Sequence, residues 1–308
     1  MEKNKLSVFL TVLFFLSVVL GLWMVILQPA QEKESKSSMK ISQDKIAVVN
    51  IYGTIKTSMN SSDPFSRDSD RIVKRLKKLE DNKTVKAVVL RINSPGGTVG
   101  AVQEIYSGIL KLRKKGKIVV ASFGDVAASG GYYVACGCDK IVSNPGTLTG
   151  SIGVILETGN FTELMRKVGV RIEAIKSGKH KDIGSFAREM TVEEKKILQD
   201  LINDAYEQFL AAVMTGRKFD DVKARGLADG RIFTGMQAKE AGLVDEIGGL
   251  DEAIEITKKI ANLGDNVKII TDVDQWDRIF NFIPAGFEEK SLARIIPDTN
   301  VRFEYMME

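Results

Sequence analysis

Two kinds of segment alternate between residues 45 and 122, and that alternation limits the possible folds more than any other feature of the chain. Ile46–Tyr52 (IAVVNIY), Ala87–Ile92 (AVVLRI) and Ile118–Ser122 (IVVAS) are β-branched runs, while Arg71–Leu79 and Ala101–Leu112 between them have helical spacing. A strand with one wet face alternates apolar and polar residues, whereas a continuous apolar run is covered on both faces. The pattern predicts an α/β fold with a mainly parallel sheet covered by helices. Further strands are expected at Lys140–Ser143, Ile152–Leu156 and Ile172–Ile175. A long helix is expected over Thr191–Met214, started by a capping box of Thr191 and Glu194. Shorter helices follow around Gly235–Ala241 and Asp251–Leu263, then a strand at Val267–Thr271 and an apolar stretch containing Trp276, Phe280 and Phe287.

Leu6 to Leu27 is 22 residues without a charge. As a helix it would be about 33 Å long, enough to cross a bilayer core of roughly 30 Å. Lys3 and Lys5 precede it, and the next basic residue is Lys33. The positive-inside tendency places residues 1–5 in the cytoplasm and the rest of the chain outside the cell membrane. A cleaved signal peptide would have a shorter apolar core and a small-x-small site, and Gln28-Pro29-Ala30-Gln31 is a poor one. Residues 28–44 are polar and read as a flexible linker. The expected organisation is an anchor at 6–27, the linker, a soluble domain over 45–264, and a C-terminal extension over 265–308.

The chain has one His, two Cys, and 44 Lys+Arg against 40 Asp+Glu. One imidazole excludes sites that need two from one chain. Cys136 and Cys138 are too few for a disulfide scaffold or a four-ligand zinc site, and read as small core residues. The mixed charge gives no case for a nucleic-acid partner. Serine, lysine or carboxylate chemistry remains.

Ligands of parallel α/β sheets sit at the carboxyl ends of strands. Two loops there stand out. Asn93-Ser94-Pro95-Gly96-Gly97 can hold backbone N–H groups close to a ligand, although Pro-Gly-Gly is also an ordinary turn. Ala127-Ala128-Ser129-Gly130-Gly131 puts a serine among small residues at the start of a short apolar helix. Small neighbours admit a substrate carbonyl, and a helix N-terminus favours developing negative charge. Spacing alone leaves Ser129 equally a nucleophile or a simple helix cap. A nucleophilic serine needs a base. His180, in Gly178-Lys179-His180-Lys181-Asp182, looks solvated. A desolvated lysine would serve instead, and Lys176, Lys179 and Lys181 are the local candidates.

These residues carry a resemblance. Asn93–Gly97, Ala127–Tyr133, Leu148–Val154 (LTGSIGV), Lys176–Asp182 (KSGKHKD) and Gly242–Gly248 (GLVDEIG) occur in this order behind an anchor. Together they resemble the short, single-domain form of the signal peptide peptidase A (protease IV) family of membrane-bound Ser-Lys peptidases. The resemblance implies a ClpP/crotonase-like fold. It implies Ser129 as nucleophile, Lys181 as general base, Ser151 as the hydroxyl that positions the lysine, and Gly96, Gly97 and Gly130 as the oxyanion hole. It implies no metal or cofactor, and signal-peptide remnants or other apolar membrane-derived peptides as substrates. Double-length relatives carry the serine and the lysine in different tandem copies. A single-copy chain is therefore expected to form a homo-oligomeric ring with active sites shared between protomers. A crotonase-type acyl-CoA enzyme would be cytosolic, so the anchor argues against it. A non-enzymatic scaffold would not need Ser129, Lys181 and Ser151, and a Ser-His-Asp hydrolase would need His180.

Overall fold

The computed structural model describes residues 12–20, 44–57, 68–271 and 303–306. Residues 12–20 form a helix, α1, with exposed side chains. Among the described residues no helix is long and apolar enough to cross a membrane. The rest of the expected anchor, residues 1–5, residues 28–43 and the Trp276–Phe287 stretch lie outside the described residues.

The domain is built on strands β1 (Lys45–Tyr52), β2 (Val85–Ser94), β4 (Ile118–Ala128), β5 (Lys140–Ser143), β9 (Glu246–Ile247) and β10 (Lys268–Thr271), after a short β3 (Gly96–Thr98). Their order across the sheet is β10-β1-β2-β4-β5-β9, and every pair along that path is parallel. Beyond β5, strand β4 pairs instead with β6 (Leu148–Gly150), which runs antiparallel to β8 (Ile232–Thr234). A second, small sheet holds β3, β7 (Ile155–Leu156) and β11 (Phe303–Met306).

Alternation along the strands divides the core into two layers. Ala47, Val49 and Ile51 of β1, with Val88, Leu90 and Ile92 of β2, face one side. Helices α2 (Ser69–Asp81), α3 (Val99–Lys114), α4 (Gly130–Cys136) and α6 (Val192–Arg217) cover them with Leu76, Ile105, Ile109, Tyr132 and Phe209. Ile46, Val48, Ala87 and Val89 face the other side, against α9 (Leu250–Ile260). Both faces are covered over most of each run, so apolar residues continue through them, with Asn50 and Arg91 as polar exceptions toward the carboxyl ends. Each buried Val, Leu or Ile side chain contributes about 1.5–3 kcal/mol.

Helix α6 has the expected capping box: Glu194 N–H donates to Thr191 Oγ1 (3.2 Å), and Thr191 N–H donates to Glu194 Oε2 (3.0 Å). Two expectations fail. Ile172–Ile175 is not a strand; it pairs with no strand among the described residues, and both isoleucines are exposed. The strand expected at Ile152–Leu156 shrinks to Ile155–Leu156, because Ser151 takes a positive φ of 48° and turns the chain, leaving Ile152 in the core. The C-terminal segment supplies two strands, β10 against β1 and β11 against β3 and β7.

Candidate active site

Strand β4 bends as it changes partner from β5 to β6, and side chains take over the bonds that the ladder loses there. Asn93 Oδ1 accepts from Val126 N–H (3.0 Å). Asn144 Nδ2 and Arg91 Nη1 both donate to the Phe123 carbonyl (3.0 and 2.6 Å). Buried Thr147 and Thr149 donate their hydroxyls to the carbonyls of Gly124 and Ala127, each at 2.6 Å. Beyond the bend, β4 ends at Ala128 and α4 begins at Gly130.

Ser129 is the single residue between them, with φ 51° and ψ −117°. A non-glycine residue held there costs on the order of 1–3 kcal/mol. Its N–H donates to Gly150 C=O (2.8 Å), and its C=O accepts from Tyr133 N–H (2.9 Å). The side chain does not cap α4. Ser129 is buried, and its Oγ has no hydrogen-bond partner among the described residues. An unpartnered buried hydroxyl is destabilising and calls for an explanation. Helix α4 is itself fixed by Tyr132, whose hydroxyl donates to Leu243 C=O (2.8 Å), and by Tyr133, whose ring meets Tyr106 edge to face and Phe209 at a tilt.

Parallel pairing of Ala128 with Gly150 brings the next residues, Ser129 and Ser151, side by side at the carboxyl end of the sheet. Ser151 N–H donates to Arg231 C=O (2.8 Å).

The Gly96-Gly97 turn approaches from β2. Gly96 C=O accepts from Ile55 N–H (2.8 Å), and Thr98 N–H donates to Ile55 C=O (2.9 Å). A Cβ on Gly97 would lie 1.8 Å from the Ile55 carbonyl oxygen, so only glycine fits. Ser94 Oγ accepts from Gly96 N–H (3.1 Å). Successive strand residues bond to opposite edges, so the Gly97 amide faces away from Ile55. Gly130, the first residue of α4, carries an amide that the helix itself leaves unbonded. Of the expected oxyanion-hole residues, Gly130 carries an N–H that its helix leaves unbonded and Gly97 an N–H that faces away from Ile55, toward the edge along which β11 lies, while Gly96 shapes the turn.

Lys181 stands on a different segment. The segment from β7 to α6 carries a short helix, α5 (Thr162–Lys167), and a run of turns that ends at Met190. Lys181 is exposed on those turns, and its N–H donates to Gly178 C=O (3.1 Å). The residue after it is clamped. Arg188 Nε and Nη2 donate to Asp182 Oδ2 and Oδ1 (2.9 and 2.8 Å), and Arg188 Nη1 and Nη2 donate to Glu194 Oε2 and Oε1 (2.8 and 2.6 Å). Lys176 Nζ adds a bond to Asp182 (2.5 Å). Arg188, followed by Lys176, holds the Asp182 carboxyl well below the usual carboxylate range. Arg188, followed by the Thr191 N–H, pulls Glu194 down to about 2. Sequence reasoning did not find this clamp, or Gly150 and Ser94.

His180 is partly buried, with Nε2 3.3 Å from Glu193 Oε1. Cys136 and Cys138 are buried free thiols; burial pushes Cys136 up to about 12, so neither is a thiolate near neutral pH.

The sequence profile of peptidase family S49 matches residues 111–264, a span that includes Ser129, Ser151 and Lys181. The Synechocystis sp. protein named Putative protease slr0021 is 46% identical over 234 residues, which are 76% of this chain and 80% of that one. Putative signal peptide peptidase SppA of Enterococcus faecium is 39% identical over 227 residues, 73% of this chain and 66% of its own. Protease 4 of Haemophilus influenzae is 36% identical over 219 residues, and the match spans 71% of this chain but only 35% of that longer protein. The chain belongs to peptidase family S49, a family of serine-type peptidases.

Proposed function

We propose that this chain is a membrane-anchored serine endopeptidase of ClpP/crotonase-like fold, with Ser129 as nucleophile and Lys181 as general base. It would hydrolyse signal-peptide remnants and other apolar peptides released in the membrane. The observation that carries this reading is Ser129 itself: a strained backbone at a strand-to-helix junction, with a buried hydroxyl that has no partner among the described residues. Neutral Lys181 takes the Oγ proton as Oγ attacks the peptide carbonyl carbon. The Gly130 and Gly97 amides stabilise the oxyanion, at roughly 3–4 kcal/mol for one donor. The C–N bond then breaks, and the lysine returns the proton to the leaving amine. Water hydrolyses the acyl-enzyme by the same route. Ser151 positions the lysine amine. No step calls for a metal or a cofactor.

The working unit in this reading is a ring in which Lys181 of one protomer serves Ser129 of the next. Among the described residues of one chain Ser129 Oγ lacks a partner and Lys181 is exposed. The same arm exposes Leu164, Val168, Ile172 and Ile175, an apolar surface that a neighbouring protomer would cover. Residues 6–27 would be the anchor, with residues 1–5 cytoplasmic and the catalytic domain extracytoplasmic.

The test is labelling by a serine-reactive probe together with peptide hydrolysis. Ser129→Ala and Lys181→Ala should each lose hydrolysis while staying folded, and His180→Ala should keep most of it. A lysine accepts a proton only when neutral, so kcat/KM should rise with pH. A dead His180→Ala variant, or an acidic optimum, would overturn the Ser-Lys assignment.

A further inference from the structure

The net charge of +4 conceals an uneven distribution. Residues 71–78 (RIVKRLKK) hold five basic residues, and no acid lies between Asp70 and Glu80. Residues 111–117 (KLRKKGK) hold five more, and no acid lies between Glu104 and Asp125. The first run belongs to α2, and the second ends α3 and leads into β4. Helical spacing turns Ile72, Leu76, Ile105 and Ile109 to the core and leaves Lys74, Lys77, Lys78, Lys111, Lys114 and Lys115 exposed.

The fold brings the two runs together. Helices α2 and α3 pack side by side, closely enough that a Cβ on Gly108 would lie 3.0 Å from Leu76 Cδ1. Their C-terminal ends meet at Lys117, a buried residue whose Nζ donates to the carbonyls of Asn82, which caps the end of α2, and Val85 (each 2.7 Å). Burial, followed by the Lys86 charge, pulls Lys117 below the usual lysine range. Nearby, Arg113 pairs with Asp139 (2.7 Å) and Lys86 lies 3.7 Å from Asp44. The six exposed lysines have no ion-pair partner among the described residues. A helix dipole favours cations in the last turn, but Lys74 stands a turn earlier in α2, and Lys115 lies past the end of α3.

This surface is at the amino end of the sheet, where β2 starts at Val85 and β4 at Ile118, whereas Ser129 is at the carboxyl end. The chain arriving from residue 44 enters at the same end. Lys45, the first residue of β1, donates its N–H to Thr84 C=O (2.8 Å), in the turn between α2 and β2. An anchor at residues 6–27 would therefore be tethered, through residues 28–44, to the basic end of the domain. Anionic headgroups attract lysines at a bilayer surface, and the attraction grows with the number of lysines that reach it.

We propose that the exposed lysines of α2 and α3 are a docking surface for anionic phospholipid headgroups, which holds the amino end of the sheet on the membrane. The proposal rests on the anchor reading of residues 6–27 and adds to it the orientation of the domain. Strand β4 has 11 residues, about 35 Å at most, and separates Lys117 from Ser129. Ser129 is thus held away from the lipid, and a peptide reaches it only after leaving the bilayer.

The test is amine footprinting of the full-length chain, with acetylation of each lysine read by mass spectrometry. The chain is placed in nanodiscs of phosphatidylcholine alone or of an equal mixture of phosphatidylcholine and phosphatidylglycerol. At low salt, Lys74, Lys77, Lys78, Lys111, Lys114 and Lys115 should be acetylated about threefold or more slowly on the mixed discs. Lys195 and Lys223, exposed on α6 and α7, should react equally on both. The difference should vanish at about 1 M salt, where the Debye length is about 3 Å. A chain carrying Lys74→Glu, Lys77→Glu and Lys114→Glu should lose the protection of Lys78, Lys111 and Lys115. Equal labelling on the two kinds of disc, or protection shared by Lys195 and Lys223, would overturn the proposal. Protection by soluble polyphosphate on phosphatidylcholine discs, with none from phosphatidylglycerol, would overturn it in favour of a soluble polyanion. Failure of the anchor reading has its own signature: a chain found on neither kind of disc overturns both, whereas equal labelling of a chain held in the discs overturns the docking surface alone.

Discussion

Ser129 is held from the neighbouring strand by one bond, its N–H to the Gly150 carbonyl at 2.8 Å. Gly150 can make that bond because it sits at φ +77°, where a Cβ would lie 2.5 Å from Phe233 Cδ2 and 3.1 Å from the Arg231 carbonyl oxygen. Gly150→Ala should push β6 from β8 and draw the acceptor away from the serine. Misplacing a reacting group by a fraction of an ångström should lower kcat by roughly tenfold or more. Backbone strain and the clash should cost about 1–3 kcal/mol. Turnover and denaturant midpoints measure both. Unchanged turnover would mean that this bond does not hold the serine.

The strain at Ser129 predicts a trade of stability for activity. Ser129→Gly removes both the positive-φ penalty and the buried unpartnered hydroxyl. Each is on the order of 1–3 kcal/mol, against about 1 kcal/mol for the added chain entropy of glycine. The variant should be inactive and at least as stable as the parent in urea unfolding. A loss of stability in Ser129→Gly would show that the backbone there is not strained.

The parts of the fold that the sequence reveals are those set by local pattern. The β1, β2 and β4 runs are legible because burial on both faces over most of their length leaves Asn50, Arg91 and Ser122 as the few polar residues in them. The start of α6 is legible because Thr191 and Glu194 satisfy each other within one turn. The bend of β4 is not, because Phe123-Gly124-Asp125 breaks the apolar run and the bonds that carry the strand onward come from Asn93, Asn144 and Thr147, distant in sequence. Ile172–Ile175 misleads for the converse reason: β-branched residues favour a strand only where a partner strand exists. The serine loop and glycine turn were visible as small-residue clusters. That the Gly97 amide faces away from Ile55 depends on the bonds Ile55 makes to Gly96 and Thr98, which no spacing rule reveals.

The Arg188 clamp has a pH window. Asp182 and Glu194 are both held as anions, with folded pKa values below those of the free side chains. A depressed carboxylate contributes stability above its unfolded pKa, about 4.3 for Glu, and loses that contribution as pH falls through the folded value. Glu194 is pulled down to about 2, which sets the lower end of the window. Amide protection of residues 176–190, compared between the parent and Arg188→Leu, should differ fully at neutral pH. The difference should shrink as pH falls from about 4.3 toward 2. Lys181 immediately precedes Asp182, so Arg188→Leu should also slow peptide hydrolysis at neutral pH. Equal protection at neutral pH would remove the clamp as the support of the lysine turn.

The shared-site reading makes a quantitative prediction for mixtures. Ser129→Ala and Lys181→Ala chains are each expected to be inactive. Dissociated, mixed equally and reassembled, they should recover activity if each site takes its serine from one protomer and its lysine from the next. A site is intact only when a Lys181→Ala protomer supplies the serine and a Ser129→Ala protomer supplies the lysine. Random head-to-tail assembly gives each condition a chance of one half, so about a quarter of the sites should work. If both residues come from one chain, every site lacks one of them and the mixture stays inactive. The distinction is legible in turnover number and in the fraction of serines labelled by an active-site probe. Inactivity in oligomers shown to contain both variants would end the shared-site reading and leave the assignment of Ser129 and Lys181 to be judged by the single variants.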